Sequence, residues 1–304
     1  MLKKISMRKI GISLSALFAI LLIYLIPSNI PKLKPEENLE YVNVNIEGQD
    51  IFLLDQNSYI ALTEAPVTEK DIEKRALELI KILTIGGVDS KVPSGFSAIL
   101  PPDTEVLSIT YENEVLKINF SKEILDIRKN LEEKMIEALI YTLTSIKGVD
   151  KIIIYIEGDI LTKLPKTKIN LPSTLDRNFG INKEFNLTST KDITDVTIYY
   201  INQINDNYYY VPVTKYLNDS RDKINIIIEE LSTGLNPNNK LISYLNEEVK
   251  LVSSNIDKDT VSIELKDLRK EIKEKSNEMV TLSICDNYSI QKVSINEDRH
   301  KCRK

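Results

Sequence analysis

Residues 66–87 read PVTEKDIEKRALELIKILTIGG, and residues 212–234 read PVTKYLNDSRDKINIIIEELSTG. In the first stretch Ile72, Ala76, Leu79, Ile80 and Leu83 fall at the three- and four-residue spacing of a helix with one apolar face. Thr68 is placed to cap its start, and Gly86 and Gly87 to stop it. In the second stretch Ile224, Ile227, Ile228 and Leu231 make the same stripe, and Gly234 closes it. Ala76, Leu79, Ile80, Leu83 and Gly86 map onto Ile224, Ile227, Ile228, Leu231 and Gly234 at one constant offset of about 148. Five such matches, each set preceded by Pro-Val-Thr, mark an internal repeat.

Working outward, the flanking segments return in the same order. Ahead of the first helix, residues 41–46 alternate with Val42, Val44 and Ile46 on one face, and a second short strand spans 51–54. Their counterparts are the alternating Val196, Ile198 and Tyr200, then a strand at 208–211. Behind the helix, Leu107, Ile109 and Tyr111 turn at 112–114 into Val115, Ile118 and Phe120, a hairpin. It is matched by Val249 and Leu251, a turn at 257–259, and Val261, Ile263 and Leu265. A second helix then turns Leu131, Met135, Ala138, Leu139, Leu143 and Ile146 inward, Gly148 ends it, and residues 151–156 form a last strand. In the second half residues 278–282 suit a helix, yet Val280, Leu282 and Ile284 also alternate as a strand would. The repeat assigns helix there, followed by a strand at 291–295.

The fold class is therefore α+β: two repeated small sandwich domains, each a mostly antiparallel sheet covered by two helices on one face. The expected domains span 41–175 and 195–298, with a linker at 176–194 and a polar tail at 299–304.

From Ile10 to Ile26 no charged residue interrupts the chain, and Pro27 ends the run. Lys3, Lys4, Arg8 and Lys9 precede it and no basic cluster follows, so residues 10–26 are expected to span a membrane with the N-terminus cytoplasmic. The exit, Ile26-Pro27-Ser28-Asn29, lacks the small residues of a cleavage site, which favours a retained signal anchor over residues 1–30. Residues 31–40, with Pro31, Pro35, Glu36 and Glu37, read as a stalk. The bulk of the protein is then extracytoplasmic and single-pass anchored.

With 42% hydrophobic and 28% charged residues in a 304-residue chain, the composition is that of folded domains rather than disorder. The net charge of −5 is spread along the chain apart from basic tips, which argues against a nucleic-acid partner. Cys285 and Cys302 are the only cysteines and His300 the only histidine, so a zinc site is not expected. In an oxidising compartment the cysteines would close a loop of about 17 residues, for roughly 3 kcal/mol. Otherwise Cys285 is a buried thiol and Cys302 a free one.

Two stretches carry a family resemblance. Leu100, Pro101, Pro102, Asp103, Thr104, Glu105, Val106 leads to Leu116, Lys117, Ile118, Asn119, Phe120, Ser121, Lys122, Glu123. Later, Tyr141, Thr142, Leu143, Thr144 leads to Glu157 and Gly158. The chain resembles tandem-domain members of the GerM family of sporulation and spore germination proteins, whose LPPGT, VDFSKEF-like and TLTQ segments these match. In the second copy Ser243, Tyr244, Leu245, Asn246, Glu247 stands where LPPGT would, and only pattern and order carry the likeness. Lipid-anchored members have an attachment cysteine that is missing after the apolar run here. The resemblance implies domains similar to ring-building motifs. It also implies a place among sporulation envelope proteins between two membranes, with self-association as a further expectation. It supplies no catalytic residues and no cofactor.

The residues themselves point the same way. His300 stands in a polar tail, and Gly86 and Gly87 follow a helix instead of preceding one as a phosphate loop requires. The acidic pairs Glu157 with Asp159 and Asp257 with Asp259 lie in turns, where Asp is expected for its local hydrogen bonds. No catalytic, cofactor-binding or metal-binding residue is assigned. The candidate interaction surface is Tyr208, Tyr209 and Tyr210: in a strand Tyr208 and Tyr210 share one face and Tyr209 takes the other, so at least one should be exposed. The expected function is non-catalytic binding of partner proteins. The competing class is a cell-wall-acting enzyme or small-ligand receptor, which converging carboxylates in a pocket would mark.

Overall fold

The computed structural model describes residues 47–205, 207–233, 240–268 and 273–303. The expected anchor at 1–30, the stalk at 31–40, the strand at 41–46 and the closing Gly234 lie outside the described residues.

The first repeat opens with a hairpin of β1 (Glu47–Asp55) and β2 (Ile60–Val67), Phe52 opposite Leu62. The segment 51–54 is thus the middle of β1. The true second strand escaped the sequence pattern because its burial does not alternate: Ile60, Ala61 and Leu62 are buried in succession, and Pro66 sits near its end. Helix α1 (Ile72–Leu83) follows, with Ala76, Leu79, Ile80, Ile82 and Leu83 buried. Its cap is Asp71, whose carboxylate accepts from the Lys74 amide, and not Thr68, whose own amide donates to Glu78. Gly86 adopts φ +74°, and a Cβ on Gly87 would lie 2.2 Å from the Lys81 carbonyl oxygen, so the pair of glycines lets the chain fold back under the helix end.

A short β3 (Phe96–Ser97) pairs with the end of β1. Then β4 (Val106–Glu112), β5 (Val115–Phe120), helix α2 (Glu132–Leu143), β6 (Lys151–Ile156) and β7 (Asp159–Ile160) complete the repeat. These four strands form their own sheet in the order β4-β5-β6-β7, with β5 and β6 parallel across α2 and the outer pairs antiparallel. On β5, Leu116, Ile118 and Phe120 point into the core while Val115, Lys117 and Asn119 are half-buried. Helix α1 packs against β2 and β4, and α2 against β1, β2 and β6. Each repeat therefore carries two sheets, a hairpin and a mixed four-stranded one, in place of the single sheet expected. The cause is visible in α2, where Met135 through Leu143 are buried around the whole circumference. A helix apolar on every side needs a layer on each side.

The second repeat has the same order: β9 (Ile193–Ile204), β10 (Asn207–Asn218), α3 (Lys223–Thr233), β11 (Lys250–Asp257), β12 (Thr260–Lys266), α4 (Lys273–Asn287), β13 (Lys292–Ile295) and β14 (Asp298–Lys301). Its four-stranded sheet runs β11-β12-β13-β14 with the same parallel centre. The helix assignment at 278–282 holds within the longer α4. Its periodicity was ambiguous because Ser276, Asn277, Thr281 and Ser283 are buried along with Met279, Val280 and Ile284. Residues 299–301, expected as a polar tail, form most of β14, which pairs with the outer edge of β13 and meets its backbone hydrogen-bonding groups. The expected linker is also built in: β8 (Glu184–Asn186) lies parallel to β10, and Ile181 and Asn182 are buried.

The hydroxyls and amides of the second helices serve the free edge of each hairpin. Thr142 Oγ1 accepts from the Phe52 amide at 2.9 Å, and Ser145 donates to the Asp50 carbonyl. In the second repeat Ser283 Oγ accepts from the Tyr199 amide at 2.9 Å, and Asn287 bonds both the amide and the carbonyl of Thr197. A strand edge buried against a helix must have its polar groups met by side chains, which explains polar residues inside α2 and α4.

Candidate interaction surface and the junction between repeats

The two hairpins join into one six-stranded sheet in the order β3-β1-β2-β10-β8, with β9 on β10. The joint is one antiparallel pairing, Tyr210 opposite Leu62. Like meets like there, the second strand of one hairpin against the second strand of the other.

This is where the tyrosine run lies. Tyr208 is exposed, with the Lys275 ammonium 3.9 Å above its ring. Tyr209 and Tyr210 are buried in the junction instead of forming a surface for another protein. Tyr209 donates to Asp55 of the first repeat at 2.7 Å and meets Phe96 edge-on at 4.9 Å. Tyr210 donates to Glu278 at 2.7 Å. Burial, and then the carboxylate each hydroxyl faces, hold both phenols above their ordinary pKa. Tyr209 and Tyr210 thus serve the contact between the two repeats, while Tyr208 stays exposed, as the alternation expects of at least one of the three.

One rung further along, Pro212 has no N–H to offer the Ile60 carbonyl. Asn182, from the expected linker, takes over that rung. Its amide nitrogen donates to Ile60 O at 2.7 Å and Pro212 O at 2.8 Å, and its oxygen accepts from Ile60 N at 2.9 Å. The backbone there is left-handed, φ 45°, a conformation that asparagine tolerates. The Asn182 amide donates to Glu137, whose carboxyl is buried and consequently raised to about 7.

Two arginines complete the junction. Arg177 lies over Tyr141 and Phe52 of the first repeat and pairs with buried Asp286 of the second at 2.5 Å. Arg303 reaches Glu64 at 3.0 Å and Asp50 at 3.5 Å in the first repeat and Glu278 at 2.5 Å in the second. Burial raises the Asp50 carboxyl, with Arg303 opposing the shift. The space left among Asp50, Phe52, Leu62, Arg177 and Tyr199 is only about 20 Å³, so the junction is closed there, while beside it residues of both repeats, Asp150, Asp176, Arg177, Asp259 and Asp286 among them, line an open cleft of about 410 Å³. A polar trough of about 620 Å³ lies elsewhere, on the outer face of the second sheet, floored by Ser253, Asn255, Ser262 and Ser294 with Glu264 and Glu297 at its margin.

The motif residues are committed to backbone bonds. The Leu83 carbonyl at the end of α1 accepts from both Ile99 and Leu100 amides, and Glu105 and Ser121 bond reciprocally. Glu157, with left-handed φ 51°, accepts from the Lys122 amide, while Asn119 accepts from Gly158. The second repeat has the same clasp in other residues: Asn296, φ 47°, accepts from the Leu265 amide at 2.7 Å and donates to its carbonyl at 2.8 Å. Asp257 and Asp259 flank the β11–β12 turn, and His300, on β14, stands 3.3 Å from the Asn277 amide nitrogen. Cys285 and Cys302 are joined as a disulfide.

Comparison with known proteins agrees with this tandem architecture. The model of the Germane family, described as sporulation and spore germination, matches residues 50–162 and 197–300. The spore germination protein GerM of Bacillus subtilis (strain 168) is 31% identical over 210 residues, a match that takes in 67% of this chain and 56% of that protein. The solved tandem GerMN domains of the Bacillus subtilis sporulation protein GerM superpose with a TM-score of 0.74 at 28% identity, over 82% of this chain and 90% of that one. With both repeats matched and their order preserved, the chain belongs to the GerM family of sporulation and spore germination proteins.

Proposed function

We propose that the protein is a membrane-anchored, extracytoplasmic component of an envelope complex in sporulation or germination, binding partner proteins without catalysing a reaction. The observation that carries this reading is the fate of the family-motif residues: Glu105, Asn119, Ser121 and Glu157 are engaged in hydrogen bonds that clasp strands and turns, as Asn296 is in the second repeat. Its relatives are named for sporulation and germination, not for a reaction. The apolar run at 10–26 behind a basic N-terminus supports the anchor, and the disulfide is compatible with an oxidising compartment. For partners, the outer strands β4 and β11 offer Leu107, Val252 and Ile256, all well exposed, along a free edge of each four-stranded sheet.

The test is made in sporulating cells with two variants of the full chain. Val252→Lys with Ile256→Lys should leave export intact and weaken recruitment to the spore envelope. Replacement of Glu157, Asp159, Asp257, Asp259, Glu264 and Glu297 by the corresponding amides should leave spore formation nearly unchanged. An acid-depleted protein that folds, localises correctly and still abolishes spore formation would replace binding with an enzymatic reading.

A further inference from the structure

Each arginine ion pair that crosses the junction includes the residue next to a half-cystine. The Cys285–Cys302 disulfide, with Cα atoms 5.7 Å apart, fastens β14 to α4. Asp286, directly after Cys285, is the buried partner of Arg177. Arg303, directly after Cys302, is the guanidinium shared by Asp50 and Glu64 of the first repeat and Glu278 of the second. Both cysteines also border the small gap lined by Phe52 and Leu62. We propose that this disulfide is the latch of the repeat junction. Closed, it holds the first repeat rigidly against the second; opened by reduction, it slackens the junction while each repeat keeps its fold.

The reasoning rests on what else holds Arg303 in place. Strand β14 is four residues long and is paired on one side only, through β13. Beyond its last rung the backbone is held, among the described residues, by the hydrogen bond from Cys302 N to Gln291 O at 2.9 Å. An arginine just past such a strand loses much rotational freedom in reaching three carboxylates, and half-exposed ion pairs alone offset that loss weakly. The disulfide orders the adjacent backbone beforehand. At its other end the link fixes the turn of α4 that presents Asp286 to Arg177.

Closure is thiol–disulfide exchange with a disulfide oxidant R–S–S–R, either a small molecule or a protein. The thiolate of one cysteine attacks R–S–S–R and releases one RS⁻. The second thiolate then displaces the other, giving the Cys285–Cys302 bond; the two thiol protons end on two RSH. A chain made in a reducing compartment thus keeps a slack junction until it meets such an oxidant.

Hydrogen–deuterium exchange on the full chain, oxidised and then reduced with dithiothreitol, tests the latch. The reporter is the Ile60 amide, which bonds Asn182 across the junction. Reduction should accelerate exchange at Ile60 and along β2 about tenfold or more, with β5 and β6 of the first repeat unchanged. The Cys285→Ser/Cys302→Ser double variant should match the reduced protein. Arg303→Ala with the disulfide intact should give part of the acceleration at Ile60 without loosening β14. Acceleration confined to α4 and β14 would overturn the proposal, because the bond would then serve the second repeat alone. An equal acceleration at every amide would overturn it as well, by making the disulfide a general stabiliser, and so would an Arg303→Ala variant with unchanged exchange at Ile60.

Discussion

Replacing Asn182 by alanine probes the rung that Pro212 cannot make. The change strands three buried main-chain groups, Ile60 N, Ile60 O and Pro212 O, now met at 2.9, 2.7 and 2.8 Å. An orphaned buried group costs about 1–3 kcal/mol, less where water enters, and a left-handed alanine adds about 1 kcal/mol. We expect a loss of about 5 kcal/mol, which for a protein of this size lowers the thermal midpoint by roughly 10 °C. Asn178→Ala, one turn away with an exposed side chain, is the control and should cost under about 1 kcal/mol. Asn182→Asp is the sharper companion, since it tolerates the same backbone and still accepts from Ile60 while losing both donors. It should be nearly as damaging as alanine at pH 8 and milder at pH 5, where a protonated carboxyl regains one donor. Urea and thermal melts read all three variants. A loss below about 1 kcal/mol for Asn182→Ala would refute the rung.

Two more outcomes follow from the same geometry. Because the Glu137 carboxyl is raised to about 7 in the folded protein, its contribution is fully present below its ordinary pKa near 4.5 and disappears as pH rises through 7. Glu137→Gln keeps the acceptor for Asn182 and should flatten the decline of the melting midpoint between pH 4.5 and 7; parallel profiles for the two proteins would contradict the assignment. Of the two turn clasps, Asn296→Ala should cost about 2 kcal/mol in urea unfolding and Glu157→Ala about 1 kcal/mol, since half-buried Asn296 both donates and accepts whereas exposed Glu157 only accepts. The reverse order would show the clasps to be different in kind.

The repeat was legible wherever an element has one wet face. Helix α1, the β4–β5 hairpin and β6 follow their periodicity because solvent lies on one side of each. The buried α4 gave no such signal, because a helix enclosed on all sides has no polar stripe and its interior serines and asparagine serve a neighbouring strand. The repeated Pro-Val-Thr is a partial coincidence: Pro66 closes β2, whereas Pro212 stands mid-strand in β10. The junction was the least readable part. Asn182 meets Ile60 122 positions away and Arg303 meets Asp50 253 positions away, so local composition made one a linker residue and the other a tail. Pro212 was the available clue, since a proline inside a paired strand leaves a carbonyl that something else must satisfy.

A joint made of one strand meeting its own counterpart is a dimer contact folded into a single chain. Either hairpin presents the edge that its partner needs, so the same edge on a neighbouring molecule is a competitor for it. What decides between them is tethering: the connection through residues 161–192 keeps the second edge at an effective concentration on the order of millimolar, far above that of a separate copy in dilute solution. The contact can therefore be small, and its residues free to vary, without the protein exchanging halves with its neighbours. Cutting the connector near residues 188–192 would remove that protection and turn a folding step into a bimolecular encounter.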